Sequence, residues 1–310
     1  MKTLLLVLYC IVCSVLVDSQ LQECRPPCFC YNCPTVCGLC EEGTPYVQRC
    51  VSADMYALTF DDGPDPENTP AALRTLRERG IKATFFMNGY NVYKHGSVVQ
   101  QVISEGHMIG MHGFLHKHLA REEEGAVVSE IYSNHDMLYR NFGHRDYNHY
   151  RPGFGELDTF GVLVNDIGFS LDFWFIDTLD WLWNGQAERN DSWSYNMKVE
   201  HVRSNIVRRI QEEFERNITH PTTGQMLCGP IHLQHDVGRF SIASLPGVLD
   251  YLEEMQERYG FRFVRMDECT GVPSYYSSAK STAPIWISCL VATVGVLFAI
   301  GLGWRTVDML

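Results

Sequence analysis

The sequence predicts an α/β fold: a distorted (β/α) barrel of about seven units, with a small Cys-rich N-terminal module and a C-terminal hydrophobic anchor segment. Three observations predict it. Strand-like and helix-like runs alternate from Met55 to Val264. About seven such units fit into that length, as a closed or nearly closed barrel requires. Residues able to do chemistry recur just after the strand-like runs, where a parallel barrel gathers its functional groups.

The units follow in order. Met55 to Phe60 is an apolar run that reads as a buried strand. Glu67 to Arg79 follows as a helix, with Ala71, Ala72, Leu73 and Leu76 at helical spacing and Gly80 as its stop. Ala83 to Met87 is the next strand. Ser97 to Glu105 is a helix with Val98, Val99, Val102 and Ile103 on one side, and His107 to Met111 is a third short strand. A helix from about Glu122 to Phe142 leads to a strand near Tyr150. Leu157 to Asp166 reads as a helix closed at Gly168, and Phe169 to Ile176 as one strongly apolar strand. The longest helix is expected from about Met197 to Arg216. Met226 to Leu233 is a strand, Leu245 to Tyr259 a helix, and Phe261 to Val264 the last strand.

The flanks set the compartment. Lys2, the apolar run Leu4 to Val17 and the short residues before Gln20 read as a secretory signal peptide over 1–19, with a retained membrane anchor as the alternative. Cys24, Cys28, Cys30, Cys33, Cys37, Cys40 and Cys50 crowd the module 20–50, and Cys228 and Cys269 lie far downstream. In an oxidising compartment this reads as a disulfide-knotted module, stapled to the main domain by one of its bridges. The pairs Cys30–Cys33 and Cys37–Cys40 also have zinc-ligand spacing. The catalytic-type region covers 51–270, and 271–283 is a polar linker. The run 284–304 carries no charge, long enough to cross a bilayer; a lipid-anchor signal cleaved near Ser277 or Ser278 is the other reading. Arg305 and Asp308 behind it favour the spanning helix. Either way the chain enters the secretory pathway and works at the extracellular face of the membrane or in the cell wall. Asn190 and Asn217 begin glycosylation triplets. With 25 Lys+Arg against 37 Asp+Glu, a net charge of −12 and no basic stripe, nucleic acid is not an expected partner.

The chemistry-bearing groups begin with Thr59-Phe60-Asp61-Asp62-Gly63-Pro64. Two Asp at a strand end point to opposite sides, so one can face a metal and the other a reacting water; equally, they can be turn residues. His112 and His116, at i and i+4, can reach one metal from one side of a helical turn, or serve as a structural pair. With one Asp they make two nitrogens and one oxygen and leave positions open for water and substrate. Tyr150-Arg151-Pro152-Gly153-Phe154-Gly155 can pair an Arg with a carboxylate and offer backbone N–H to an oxyanion. Asp177-Thr178-Leu179-Asp180-Trp181 and Ile231-His232-Leu233-Gln234-His235-Asp236 end two further strands, and a carboxylate-steadied His is a suitable general acid.

These five stretches, in this order, resemble the motifs of the polysaccharide deacetylases of carbohydrate esterase family 4, the NodB homology family, which includes chitin deacetylases. The resemblance runs from Met55 to Asp267. It implies a metal-dependent hydrolase that removes N-acetyl groups from N-acetylglucosamine polymers such as chitin, with acetylated xylan as a further substrate the fold supports. It implies Asp61 as base, Asp62, His112 and His116 as ligands of a divalent metal, zinc or else cobalt, and Arg151 as the group orienting Asp61. It further implies Asp180 tuning His235, the general acid, and Phe154, Trp181 and Leu233 against the substrate. Gly113 stands where the family carries a hydroxyl and Gly153 where it carries a second Pro, so a looser metal loop and oxyanion turn are expected. His118 and His232 are extra imidazoles expected to compete for metal. A surface or wall protein that binds glycan with little or no catalysis is the alternative function.

Overall fold

The computed structural model describes residues 46–143, 146–156 and 160–276. The expected signal peptide, all of the Cys-rich module before residue 46, and the apolar segment 284–304 lie outside the described residues. Among the described residues no helix is long and apolar enough to cross a membrane.

A single curled sheet organises the domain. Its strands are β1 (Arg49–Cys50), β2 (Met55–Asp61), β3 (Thr84–Met87), β4 (Met108–Met111), β6 (His149–Tyr150), β7 (Ser170–Leu171), β8 (Ile176–Asp177), β9 (Gly229–His235) and β10 (Arg262–Val264). The order is β1-β9-β2-β3-β4-β6-β7, with β10 beside β2 and β8 beside β9. All pairs in it are parallel except β1 with β9. β5 (Asp146–Tyr147) pairs apart from it with β11 (Tyr275–Tyr276). The segment Ser170–Asp177 joins β6 at its start and β9 at its end, so the sheet curls back toward itself as a half-barrel.

The expected β2 is found one residue longer, and every residue of it is buried. Continuous apolar runs of this kind are what strands covered on both faces require. Phe60 and Phe85 stack across neighbouring strands at 5.1 Å, each such ring contributing about 1.5–3 kcal/mol by burial. Outside the sheet, the helices Asn68–Glu78, Gly96–Ser104 and Glu124–Asn141 turn Leu73, Leu76, Val99, Val102, Ile131 and Leu138 into the core.

Three expectations are corrected. The apolar run from Phe169 to Ile176 is not one strand but two short ones. Between them, the carbonyls of Asp172 and Phe173 accept hydrogen bonds from the Arg151 guanidinium at 3.2 and 3.1 Å, while Val47 bridges to Asp172. The longest helix is Arg239–Tyr259, not the one at Tyr195–Glu213. Pro246, which suggests a helix start near Leu245, lies inside it. The true start follows Gly238, which has no side chain to cap with, and Asn184 Oδ1 accepts the N–H groups of Phe240 and Ser241 instead. The sheet begins at Arg49, and Cys50 is bonded to Cys269 in the helix Met266–Thr270.

Candidate active site

Every singled-out group lies at or just beyond the C-terminal end of a parallel strand: Asp61 at β2, His112 after β4, Arg151 after β6, Asp180 after β8 and His235 at β9. β2 and β9 pair in register at Asp61 and His235, which brings the first and last groups together.

Asp61 is buried, and its Oδ1 accepts from Arg151 Nη1 at 2.7 Å. The same nitrogen donates to Thr59 Oγ1 at 2.7 Å. Arg151 is fully buried, with its guanidinium over the Phe86 ring at 3.9 Å. Its Nε and Nη2 donate to the two carbonyls between β7 and β8, so the fork is fixed in place.

Asp62 leaves the strand with φ 77°, which swings its carboxylate away from that of Asp61. Its Oδ1 lies 3.3 Å from His112 Nε2 and 3.1 Å from His116 Nε2. The donor atoms of Asp62, His112 and His116 all lie within 4.8 Å of one another. His112 Nδ1 donates to the Arg151 carbonyl at 2.9 Å, which fixes the ring with Nε2 facing Asp62. Two imidazole nitrogens and a carboxylate oxygen converging in this way fit a divalent cation, and the donor set suits zinc or cobalt. Burial opposes the charge on Asp62, but hydrogen bonds from both His residues hold its carboxyl well below the usual carboxylate range.

His112 and His116 do not share a helical turn. They sit in a loop, brought together by Gly113 at φ 77° and His116 at φ 54°. The expected weakness at Gly113 is met from outside the loop. Glu130 Oε2 accepts the N–H of Phe114 at 2.9 Å and of Leu115 at 2.7 Å, and Asn134 Nδ2 donates to the Gly113 carbonyl at 2.8 Å. Neither Glu130 nor Asn134 is among the sequence-predicted site residues. Their signal is two polar side chains at i and i+4 on the apolar stripe of the helix Glu124–Asn141. At Gly153, a side chain would begin 3.1 Å from the His116 ring. Glycine there gives that imidazole room.

His235 Nδ1 lies 2.8 Å from Asp180 Oδ1, and its backbone N–H donates to Asp180 Oδ2 at 2.9 Å. Ser241 Oγ completes the carboxylate at 2.6 Å. His235 Nε2 points toward Asp62 Oδ2 at 4.0 Å. Burial works against a charged imidazole, but the Asp180 carboxylate, with Asp62 and Asp61 behind it, pushes the His235 pKa up to about 10. The raised value favours the protonated ring, the form that a general acid needs.

Phe154 and Trp181 stand half-exposed at the rim, while Leu233 is buried on the His235 side of β9. Phe154 has φ 61° and packs on His116 at 4.3 Å and flat on His118 at 3.7 Å. The two expected competitors for metal are otherwise engaged. His118 Nδ1 pairs with Glu156 at 2.8 Å. His232 is fully buried in the core and its Nδ1 meets the Tyr56 hydroxyl at 2.7 Å.

Residues 48–168 match the profile of the polysaccharide deacetylase family. Over 126 residues, 40% of this chain and 46% of the relative, the chain is 38% identical to a peptidoglycan-N-acetylglucosamine deacetylase of Bacillus cereus. The chain thus spans less than half the length of that relative. Among solved structures it is similar to a peptidoglycan N-acetylglucosamine deacetylase, with TM-score 0.59 and 26% identity over 76% of this chain and 97% of that one. It shares its fold with the chitin deacetylase of the fungus Colletotrichum lindemuthianum, with TM-score 0.61 and 21% identity over 74% of this chain and 94% of that one. The motif order, the curled parallel sheet and these likenesses agree: residues 48–168 carry the polysaccharide deacetylase family's domain signature, on a fold shared with solved deacetylases.

Proposed function

We propose that this protein is a metal-dependent N-deacetylase of glycans built from N-acetylglucosamine, chitin or peptidoglycan strands among them. One observation carries the reading. A three-donor cluster, a carboxylate held by a buried Arg, and an imidazolium held by a buried Asp face one another across one strand-end cleft.

Asp62, His112 and His116 would hold the cation. Bound there, it supplies Lewis-acid polarisation of the acetamide carbonyl and a more acidic water. Asp61, fixed by Arg151, takes the proton of the attacking water. The backbone N–H of Phe154, at the turn that packs against His116, suits the developing oxyanion. His235 gives its proton to the departing nitrogen, so the C–N bond breaks to an amine and acetate. Phe154 and Trp181 offer ring faces to a sugar at the rim.

Both a chitin deacetylase and peptidoglycan deacetylases are among the similar proteins, which supports the N-acetylglucosamine unit without choosing between the two polymers. The run Leu4 to Val17 and the Cys50–Cys269 bond support a secreted protein acting outside the cell, held there by the segment 284–304. The test is acetate release by the full chain from chitin oligomers and from peptidoglycan, each with and without added zinc or cobalt. Release from neither substrate under any of these conditions would overturn the reading.

A further inference from the structure

The metal loop carries no side chain of its own at Gly113, yet its backbone is heavily bonded. Glu130 is 6% exposed. Its Oε2 accepts two successive N–H groups of the loop, those of Phe114 and Leu115, and its Oε1 lies 3.5 Å from Lys117 Nζ. One carboxylate therefore grips the whole stretch between the two ligand imidazoles. Hydrogen bonds to an ionised acceptor are about twice as strong as neutral ones. Asn134, one helical turn further on, ties the Gly113 carbonyl and the Met87 carbonyl at 2.8 Å each, which joins the loop to the end of β3. Gly89 and Tyr90 donate to the Gly113 and Phe114 carbonyls from the other side.

We propose that Glu130 is the positioning residue of the metal loop: its carboxylate, rather than any side chain within the loop, sets the separation of His112 and His116. The proposal rests on the reading of Asp62, His112 and His116 as metal ligands. Glu130 touches neither the cation nor the substrate; it acts through the backbone of residues 114 and 115.

The test uses the full chain and three variants. Glu130→Ala removes both acceptors. Glu130→Gln keeps an oxygen able to accept both N–H groups but not the charge. Glu130→Asp keeps the charge on a stem one methylene shorter. Zinc affinity is read by titration, and amide exchange at residues 114 and 115 is read in metal-free protein. In Glu130→Ala the affinity is expected to fall about 10–100-fold, the range for residues that orient metal ligands, with exchange at both amides accelerated. Glu130→Gln is expected to recover most of both, and Glu130→Asp to resemble Glu130→Ala. Unchanged exchange at both amides in Glu130→Ala, or Glu130→Gln as damaging as Glu130→Ala, would overturn the proposal. Should Glu130→Ala not fold, the contrast between Gln and Asp decides in the same way. A parent chain that binds no zinc but shows Glu130-dependent exchange would uphold the grip on the loop and overturn the metal reading instead.

Discussion

The Nδ1–H of His112 donates to the backbone carbonyl of Arg151 at 2.9 Å, while the side chain of the same arginine holds Asp61 at 2.7 Å. One residue thus orients the proposed metal ligand His112 with its main chain and the proposed base Asp61 with its side chain.

Arg151→Lys separates these two roles by removing the fork. A lysine cannot serve Asp61, Thr59 and the carbonyls of Asp172 and Phe173 at once. Unfolding stability is expected to fall by about 1–3 kcal/mol for buried acceptors left unmet. Acetate release is expected to fall further than zinc affinity. Denaturant melts and metal titration on the same preparation check this; equal losses in both would assign Arg151 to the metal alone.

Asp61→Asn keeps the shape of the site and removes the base. Zinc stoichiometry should stay at the parent's value while turnover falls about 10²–10⁴-fold. Elemental analysis beside initial rates measures both. Turnover within tenfold of the parent would take the role from Asp61.

The pH profile should answer to Asp180. With His235 pushed up to about 10 by that carboxylate, the proposed proton donor is expected to persist into alkali. In Asp180→Asn the donor's pKa drops, so the alkaline limb of kcat against pH should move toward acid by about 1–3 units. An unmoved limb would mean that another group donates the proton.

His149 and Asp172 form a fully buried pair at 2.6 Å below the site. Burial alone would lower the His149 pKa, but the Asp172 charge and hydrogen bond raise it above the ordinary value. A raised folded-state pKa contributes stability that is complete below the unfolded value of about 6.5 and fades as pH climbs through the folded value. The parent's urea stability should therefore decline between pH 6 and alkaline pH more steeply than that of the double variant His149→Gln/Asp172→Asn. Parallel declines would show that the pair does not titrate in this sense.

Gly113→Ala tests backbone conformation without crowding. A Cβ there would stand 3.7 Å from Glu130 Oε2, an ordinary contact, but φ 77° disfavours any L side chain. The expected cost is about 1 kcal/mol or more of stability, with weaker zinc binding. Calorimetric melting with and without zinc would measure it.

The strand ends are legible in the sequence because parallel strands buried on both faces are continuous apolar runs, and Asp61 and His112 stand directly after such runs. What is not legible depends on residues far apart in the chain. The break between β7 and β8 is held open by Arg151, from the previous strand end. The start of the helix at Arg239 is capped by Asn184 from another helix, which no local capping signal reveals. The loop between His112 and His116 has the spacing of a helical turn but not its dihedrals, because Glu130 and Asn134 bind it in another shape. Local spacing names the ligands; long-range hydrogen bonds decide how they meet.

The Cys50–Cys269 bond lies at the end of the sheet remote from the cleft, where β1 meets the first residues of β9. The staple and the cleft therefore stand at opposite ends of β9, the bond beside Gly229 and the candidate site at His235.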